Sequence, residues 1–471
     1  MPDATLERPM TTRATHHRST AERPAADGGR GRRGLLASLV VALALAGPFH
    51  AVLADAIPPP GRAAALASKA AADAAPASTP AAATAGTAVA IGGALRYDNA
   101  AVWSRLVELA GGPGARFVVL ATAAGNPESS AARSVAALQA HGAAAEALPV
   151  SPRLEGTDVA AAVRDPELIA KVRAARGVFF TGGAQERIVD ALQPEGRASP
   201  LLEAIRELMA RGGVVAGTSA GAAVMSATMF RDATDVMAVM KGSLRVGQEL
   251  DRGLAFAGPD VFVDQHFLRR GRLGRLLPAM QSQGYRKGLG VEEDSAAILR
   301  GGTVEVVGAG GALFVDLGEA TTDPKLGVFN VTGARLTFLG HGDRLDLATG
   351  VVTPSAAKAQ GQRVDPRAEG FQPYFEDAPF LLDVLADGAI LRAMTLALDG
   401  PTGEVRGLAF DARADAAPPR ELGFEFRFRR GPDTTGWFSS ALGGEAYTVS
   451  NIRLDVTPVR VARPLYRPWT R

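Results

Sequence analysis

Val214-Val215-Ala216-Gly217-Thr218-Ser219-Ala220-Gly221-Ala222 is the stretch on which the reading of the fold turns. A short apolar run ending in small residues reads as a buried strand. The Gly217-x-Ser219-x-Gly221 that follows is a tight strand-to-helix turn that projects a hydroxyl, with flanking glycines relieving the crowding. Ala222–Ala227 continues with small, helix-compatible residues. Amide N–H groups and the positive dipole end of such a helix suit an oxyanion. The same grammar recurs upstream: Ala88–Ile91 before Gly92-Gly93, Phe117–Leu120 before Ala121-Thr122, and Val178–Phe180 before Thr181-Gly182-Gly183. Helix-like segments at Asn99–Ala110, Ser129–His141, Pro166–Arg176 and Pro200–Arg211 lie between these runs. Continuous apolar strands alternating with helices predict an α/β fold, a parallel sheet with helices on both faces. In such sheets ligands bind outside the carboxyl ends of the strands, where the glycine-rich segments fall.

Outward from this body, the chain is punctuated by composition. Its 471 residues suit two or three domains, and 47% are hydrophobic, enough to build a core. Residues 1–54 are read as an export signal: a polar segment ending in Arg30-Gly31-Arg32-Arg33, an apolar run Gly34–Ala46, and Val52-Leu53-Ala54 before Asp55. Arg32-Arg33-Gly34-Leu35-Leu36 resembles a twin-arginine signal. The apolar run falls short of the ~20 residues of a membrane-spanning helix. This reading expects a protein exported to the periplasm or the medium and not stably membrane-associated after cleavage. Residues 55–86 are mostly Ala, Pro, Thr and Ser and read as a flexible spacer. The main body spans 87–352, a polar linker 353–370, and an accessory domain 371–471. In that last part Phe424, Phe426 and Phe428 alternate with charges, as do Ile452, Leu454 and Val456 with polar residues. This period of two predicts half-buried strands and an α+β or β-rich accessory domain, with a helix within Pro379–Leu398.

Composition also excludes. The formal charge is +2, from 51 basic and 49 acidic residues, and the leader alone carries seven arginines against four acids. The rest of the chain is then nearly neutral, so a general nucleic-acid binder is not expected. There are no cysteines, which removes disulfides, thiolate metal sites and a cysteine nucleophile. No metal-binding histidine pair such as H-E-x-x-H occurs, and neither metal nor cofactor is expected. Gly308-Ala309-Gly310-Gly311-Ala312 joins two apolar runs and reads as a hairpin turn rather than a nucleotide loop.

A serine nucleophile needs a base. Outside the leader the histidines are His141, His266 and His341. Only His266 ends a strand-like run, Val261–Phe267, so it is the candidate base. Two sources of the orienting acid stay open on spacing alone: Asp264, two residues before His266, and the cluster Glu292-Glu293-Asp294 after Gly288–Val291. Arginines 269, 270, 272 and 275 follow the histidine; their planar forks suit bidentate carboxylate recognition.

Phe180-Thr181-Gly182-Gly183-Ala184-Gln185, the Gly217–Ala222 turn, Asp264-Gln265-His266-Phe267 with its arginines, and Gly288–Glu293 together resemble the serine peptidase family of the cyanophycinases and aspartyl dipeptidase (peptidase E). The resemblance covers about 88–346. It implies a flavodoxin-like fold akin to class I glutamine amidotransferases, with serine in place of the cysteine nucleophile. It makes Ser219 the nucleophile, His266 the base and Glu293 the orienting acid, and sets Gln185, Asp264, Gln265, Arg270, Arg272 and Arg275 around the substrate. Backbone N–H groups of Gly183 and Ala220 would hold the oxyanion. The implied substrate is cyanophycin, a poly-aspartate with arginine on each side-chain carboxyl, cut to β-aspartyl-arginine. Alternatives are a related peptidase acting on aspartyl or other small peptides, and an exported binding protein without turnover. A homodimer is left open.

Overall fold

Apolar runs and capped helices appear where the sequence places them. Asn99, Asn126, Asp165 and Ser199 each accept a hydrogen bond from a first-turn N–H, and the last three precede a proline at the first helical position. The helices they open are Ala100–Leu109, Pro127–Ala140, Pro166–Ala174 and Pro200–Ala210. The computed structural model describes residues 86–469 except 414, 442 and 443. The expected export signal and nearly all of the spacer lie outside the described residues.

Strands β1 (Thr87–Ile91), β2 (Arg116–Leu120), β3 (Ala144–Leu148), β4 (Gly177–Phe180) and β5 (Val214–Thr218) form the parallel half of a nine-stranded sheet, in the order β1-β5-β4-β2-β3. β10 (Ser295–Arg300) pairs antiparallel with β1, and the sheet continues through β11 (Thr303–Gly308), β14 (Arg344–Asp346) and β15 (Val352–Thr353). The sheet is therefore mixed rather than wholly parallel. Apolar clusters cover both faces, one around Val178, Phe180 and Val215, the other around Val89, Trp103 and Phe179. β6 (Thr228–Phe230) and β7 (Leu250–Arg252) make a small separate pair.

A second sheet carries β8 (Val261–Gln265) at one edge, parallel to β9 (Lys287–Val291). It runs on through β12 (Ala312–Asp316), β13 (Val331–Leu339), β19 (Ala446–Arg460), β18 (Leu422–Ser439) and β16 (Gln362–Val364), with β17 (Glu404–Ala409) also on β18. The tail thus joins the body in one sheet: β13 pairs with β19, Ala334 opposite Leu454 and Leu336 opposite Ile452. Phe424, Phe426 and Phe428 are buried in the same cluster as Phe262, Phe267 and Leu276 of the body. The strand patterns of the tail hold, but residues 353–370 are no plain linker. They include β16 and a Lys358 buried against Asp343, Nζ to Oδ2 2.7 Å. The described residues form one compact unit.

Three local expectations are corrected. Gly308–Ala312 is not a hairpin turn, because β11 and β12 belong to different sheets and the loop crosses between them. The helix after Ser219 covers only Ala220–Ala223. Beyond it the carbonyls of Val224, Met225, Ser226 and Ala227 accept from N–H groups of the returning Gly253–Ala257 segment, so none is free to extend the helix. In the tail the expected helix starts later, at Ala389, and ends at Asp399.

Candidate active site

Three carbonyls at the end of β1 gather the site. Ile91 O accepts from Ser219 N at 2.9 Å, Gly92 O from His266 N at 2.6 Å, and Gly93 O from Asp294 N at 2.9 Å. One strand end therefore fixes the serine, the histidine and the loop that carries the carboxylates. Ser219, His266 and Asp294 each sit at positive φ, +53°, +48° and +53°. Such backbone is uncommon for non-glycine residues and persists where surrounding bonds over-determine it.

The side chains form a relay. Ser219 Oγ lies 2.9 Å from His266 Nε2, and His266 Nδ1 lies 2.5 Å from Glu293 Oε1. His266 is buried, and its ring rests against the β1–helix turn. A Cβ on Gly93, at φ +104°, would stand 2.2 Å from that ring. One on Gly92 would stand 2.0 Å from Glu292 O. Only glycine fits at these two positions, and sequence reasoning recognised them merely as a strand end.

The structure separates the candidate acids. Glu293 alone among them reaches the imidazole. Glu292 Oε2 accepts from Leu268 N and from Arg269 N at 3.0 Å, holding the arginine turn. Asp294 Oδ1 accepts from Arg96 N at 3.0 Å and Asn99 Nδ2 at 2.8 Å, tying the acidic loop to the segment after β1. Asp264 shares no face with His266, because β8 ends at Gln265 and the positive φ of His266 breaks the alternation.

Asp264 turns inward instead. Arg275 clasps it bidentately, Nε to Oδ2 2.8 Å and Nη2 to Oδ1 2.6 Å, with both side chains buried. The guanidinium also lies 4.2 Å over the Phe230 ring. Arg272 is buried too, donating from Nη1 to Gln265 O at 2.7 Å, and burial pushes its pKa down to about 10. These three were expected around substrate; the structure makes Asp264 and Arg275 an internal pair and Arg272 a brace for the strand end. Gln265 is buried, with Oε1 bonded to no protein group. Gln185 Nε2 donates to Phe230 O and Arg231 O, which anchors the β6–β7 pair. Arg269 pairs with Asp387 of the tail at 2.7 Å. Arg270 is exposed, makes no ion pair among the described residues, and donates its N–H to His266 O.

Burial sets the electrostatics of the base. Desolvation lowers the His266 pKa; the hydrogen bond to Glu293 opposes it, and the positive charges of Arg270 and Arg272 reinforce it. The imidazole is therefore held neutral, the form that accepts a proton. The N–H groups of Gly183 and Ala220 take part in none of the hydrogen bonds among the described residues and are free to meet an oxyanion. Gly182 beside them packs on Ser219; a Cβ added there would stand 3.2 Å from the serine Cβ. The other two histidines have local partners: His141 Nδ1 lies 2.9 Å from Ser104 Oγ, and His341 Nδ1 accepts from Gly308 N at 3.1 Å. No metal-holding cluster of His, Asp or Glu occurs among the described residues.

Fold and site together define an α/β protein with a serine–histidine–carboxylate relay at the carboxyl ends of its parallel strands. The chain belongs to peptidase family S51, whose sequence pattern matches residues 89–307. It is 32% identical over 260 residues to the cyanophycinase of Geminocystis herdmanii, covering 53% of this chain and 88% of that one. To the cyanophycinase of Trichormus variabilis it is 37% identical over 194 residues, 40% of this chain and 62% of that protein's length. A solved peptidase from an acI-B1 actinobacterium aligns over 48% of this chain and 89% of its own, at 22% identity and a TM-score of 0.39.

Proposed function

We propose that this protein is a serine peptidase that hydrolyses cyanophycin to β-aspartyl-arginine. The observation that carries the reading is the relay Ser219 Oγ–His266 Nε2, His266 Nδ1–Glu293 Oε1, at 2.9 and 2.5 Å. His266 takes the Ser219 proton as Oγ attacks the scissile aspartyl carbonyl, and the N–H groups of Gly183 and Ala220 receive the oxyanion. The imidazolium, steadied by Glu293, then gives its proton to the leaving amine. Water, deprotonated by His266, attacks the acyl-enzyme and frees Ser219. Cyanophycin as substrate draws its support from the similarity to the two cyanophycinases.

Digestion of purified cyanophycin, with mass analysis of the products, tests the proposal. The expected product is β-aspartyl-arginine, and Ser219→Ala should lower turnover on the order of 10⁴-fold or more with an unchanged melting temperature. Near-normal turnover by the folded variant would remove Ser219 from the mechanism. One observation favours a second reading. With Arg272 and Arg275 buried, carboxylate recognition falls to Arg270, which a small aspartyl peptide would satisfy as well as the polymer. Turnover of aspartyl dipeptides with no release from cyanophycin would decide for that reading. Export rests on the residue 1–54 pattern; N-terminal sequencing of protein from the periplasm or medium should begin near Asp55.

A further inference from the structure

Thr181 and Thr218 stand side by side at the carboxyl ends of β4 and β5, whose register sets Phe180 opposite Gly217. Both hydroxyls are buried and neither bonds to a protein group. Thr181 is only 3% exposed. Buried polar groups are paired in the great majority of cases, so two adjacent orphans beside a reactive serine call for a partner. Both line a pocket of about 230 Å³ that Ser219 also borders. Its wall includes Tyr97 and Trp103, their rings stacked with centroids 6.4 Å apart, and Ser130 of helix Pro127–Ala140.

No charged side chain lines this pocket. An ionised group entering it would lose its hydration without gaining a counter-charge, which is costly. An uncharged amide suits it. Each hydroxyl both donates and accepts, so a C=O and an N–H can each find a match. The apolar part of the same unit would lie along the aromatic wall. The exposed cation beside His266, Arg270, is not among the lining residues.

We propose that this pocket is a specificity subsite for an uncharged peptide unit of the substrate, held by Thr181 and Thr218, with charged branches excluded from it. The inference rests on the reading of Ser219 as nucleophile. In cyanophycin the uncharged unit is the main-chain amide, and the arginine branches stay outside.

The test uses activated phosphonate probes of equal length bearing a carboxamide, a carboxylate or a guanidinium arm, with an armless fluorophosphonate as reference. The rate of covalent labelling of Ser219 is measured for each. The carboxamide arm should react at least about 10-fold faster than either charged arm, because a charged arm loses its hydration in the pocket without gaining a counter-charge. Thr181→Val should abolish that preference, read as the ratio of each arm's labelling rate to that of the armless reagent on the same preparation. Ser130→Leu, which puts a bulky side chain into the pocket from the helix, should slow all three arms relative to the armless reagent. Equal rates across the arms, or a preference untouched by Thr181→Val, would overturn the subsite alone. Failure of the armless reagent to label the unaltered chain would overturn the reading of Ser219, and the subsite with it.

Discussion

His266 holds its place among charges that pull its proton in opposite directions. Glu293 favours the imidazolium, while burial and the cations at 270 and 272 disfavour it, and the net shift is downward. The base form should therefore persist below the ordinary histidine value of about 6.5, and the acidic limb of kcat/KM should fall there. Removing a nearby cation makes protonation easier. Arg270→Gln should raise the His266 pKa and move that limb to higher pH, with little change in melting temperature because Arg270 is exposed. A pH–rate profile of both proteins checks the direction; a limb that stays put would mean the arginine does not act on the base. Arg275 belongs to the opposite category. Arg275→Met strips the buried Asp264 carboxylate of its bidentate partner and leaves it only the longer Arg272 contact at 3.7 Å, a change that costs up to about 3–5 kcal/mol, and should appear first as a lower melting temperature. The run of arginines after His266 was legible in the sequence, but their division into buried and exposed was not. Spacing along a turn does not say which side chains the core will enclose.

At the scale of elements, the end of β1 organises the site. Its three successive carbonyls hold Ser219, His266 and Asp294, which arrive from β5, β8 and β9. Gly93→Ala is the sharpest test. The added methyl would meet the His266 ring at 2.2 Å in a backbone at φ +104°, so the ring must move away from Ser219 or the turn must open. Activity should fall by about 10²-fold, the loss that a misplacement of about 1 Å brings, with a smaller effect on stability. Full activity in the folded variant would show that the turn yields without disturbing the relay. The Gly217–Gly221 turn was legible because a local strand–turn pattern encodes it. The short helix behind it was not, because the 253–257 segment claims the carbonyls from more than 25 residues away.

Across the whole molecule, the last hundred residues are bound into the sheet that carries the histidine. β19 lies along β13, and the phenylalanines of β18 share a core with Phe267, the residue after His266. Asp387 pairs with Arg269, and the Leu385 carbonyl packs so closely on Gly271 that a Cβ there would stand 2.2 Å from it. A chain truncated after Thr353 would expose the apolar edge of β13, including Leu336 and Phe338. It should aggregate or lose its cooperative melt in a thermal unfolding experiment. An unchanged melting temperature with retained activity would show that residues 354–471 fold as a separate accessory.

By itself the sequence determined the alternating strands and helices, the tight turn at Ser219, His266 as the one histidine ending a strand-like run, and the alternating strands of the tail. All of these are written in contacts between near neighbours or in a period of two along the chain. Tertiary structure alone decided which carboxylate reaches the imidazole, which arginines are enclosed, where the helix after Ser219 stops and which sheet the tail completes. Each of those depends on groups far apart in sequence competing for the same hydrogen-bonding atoms or the same buried volume, and a linear pattern carries no record of who wins.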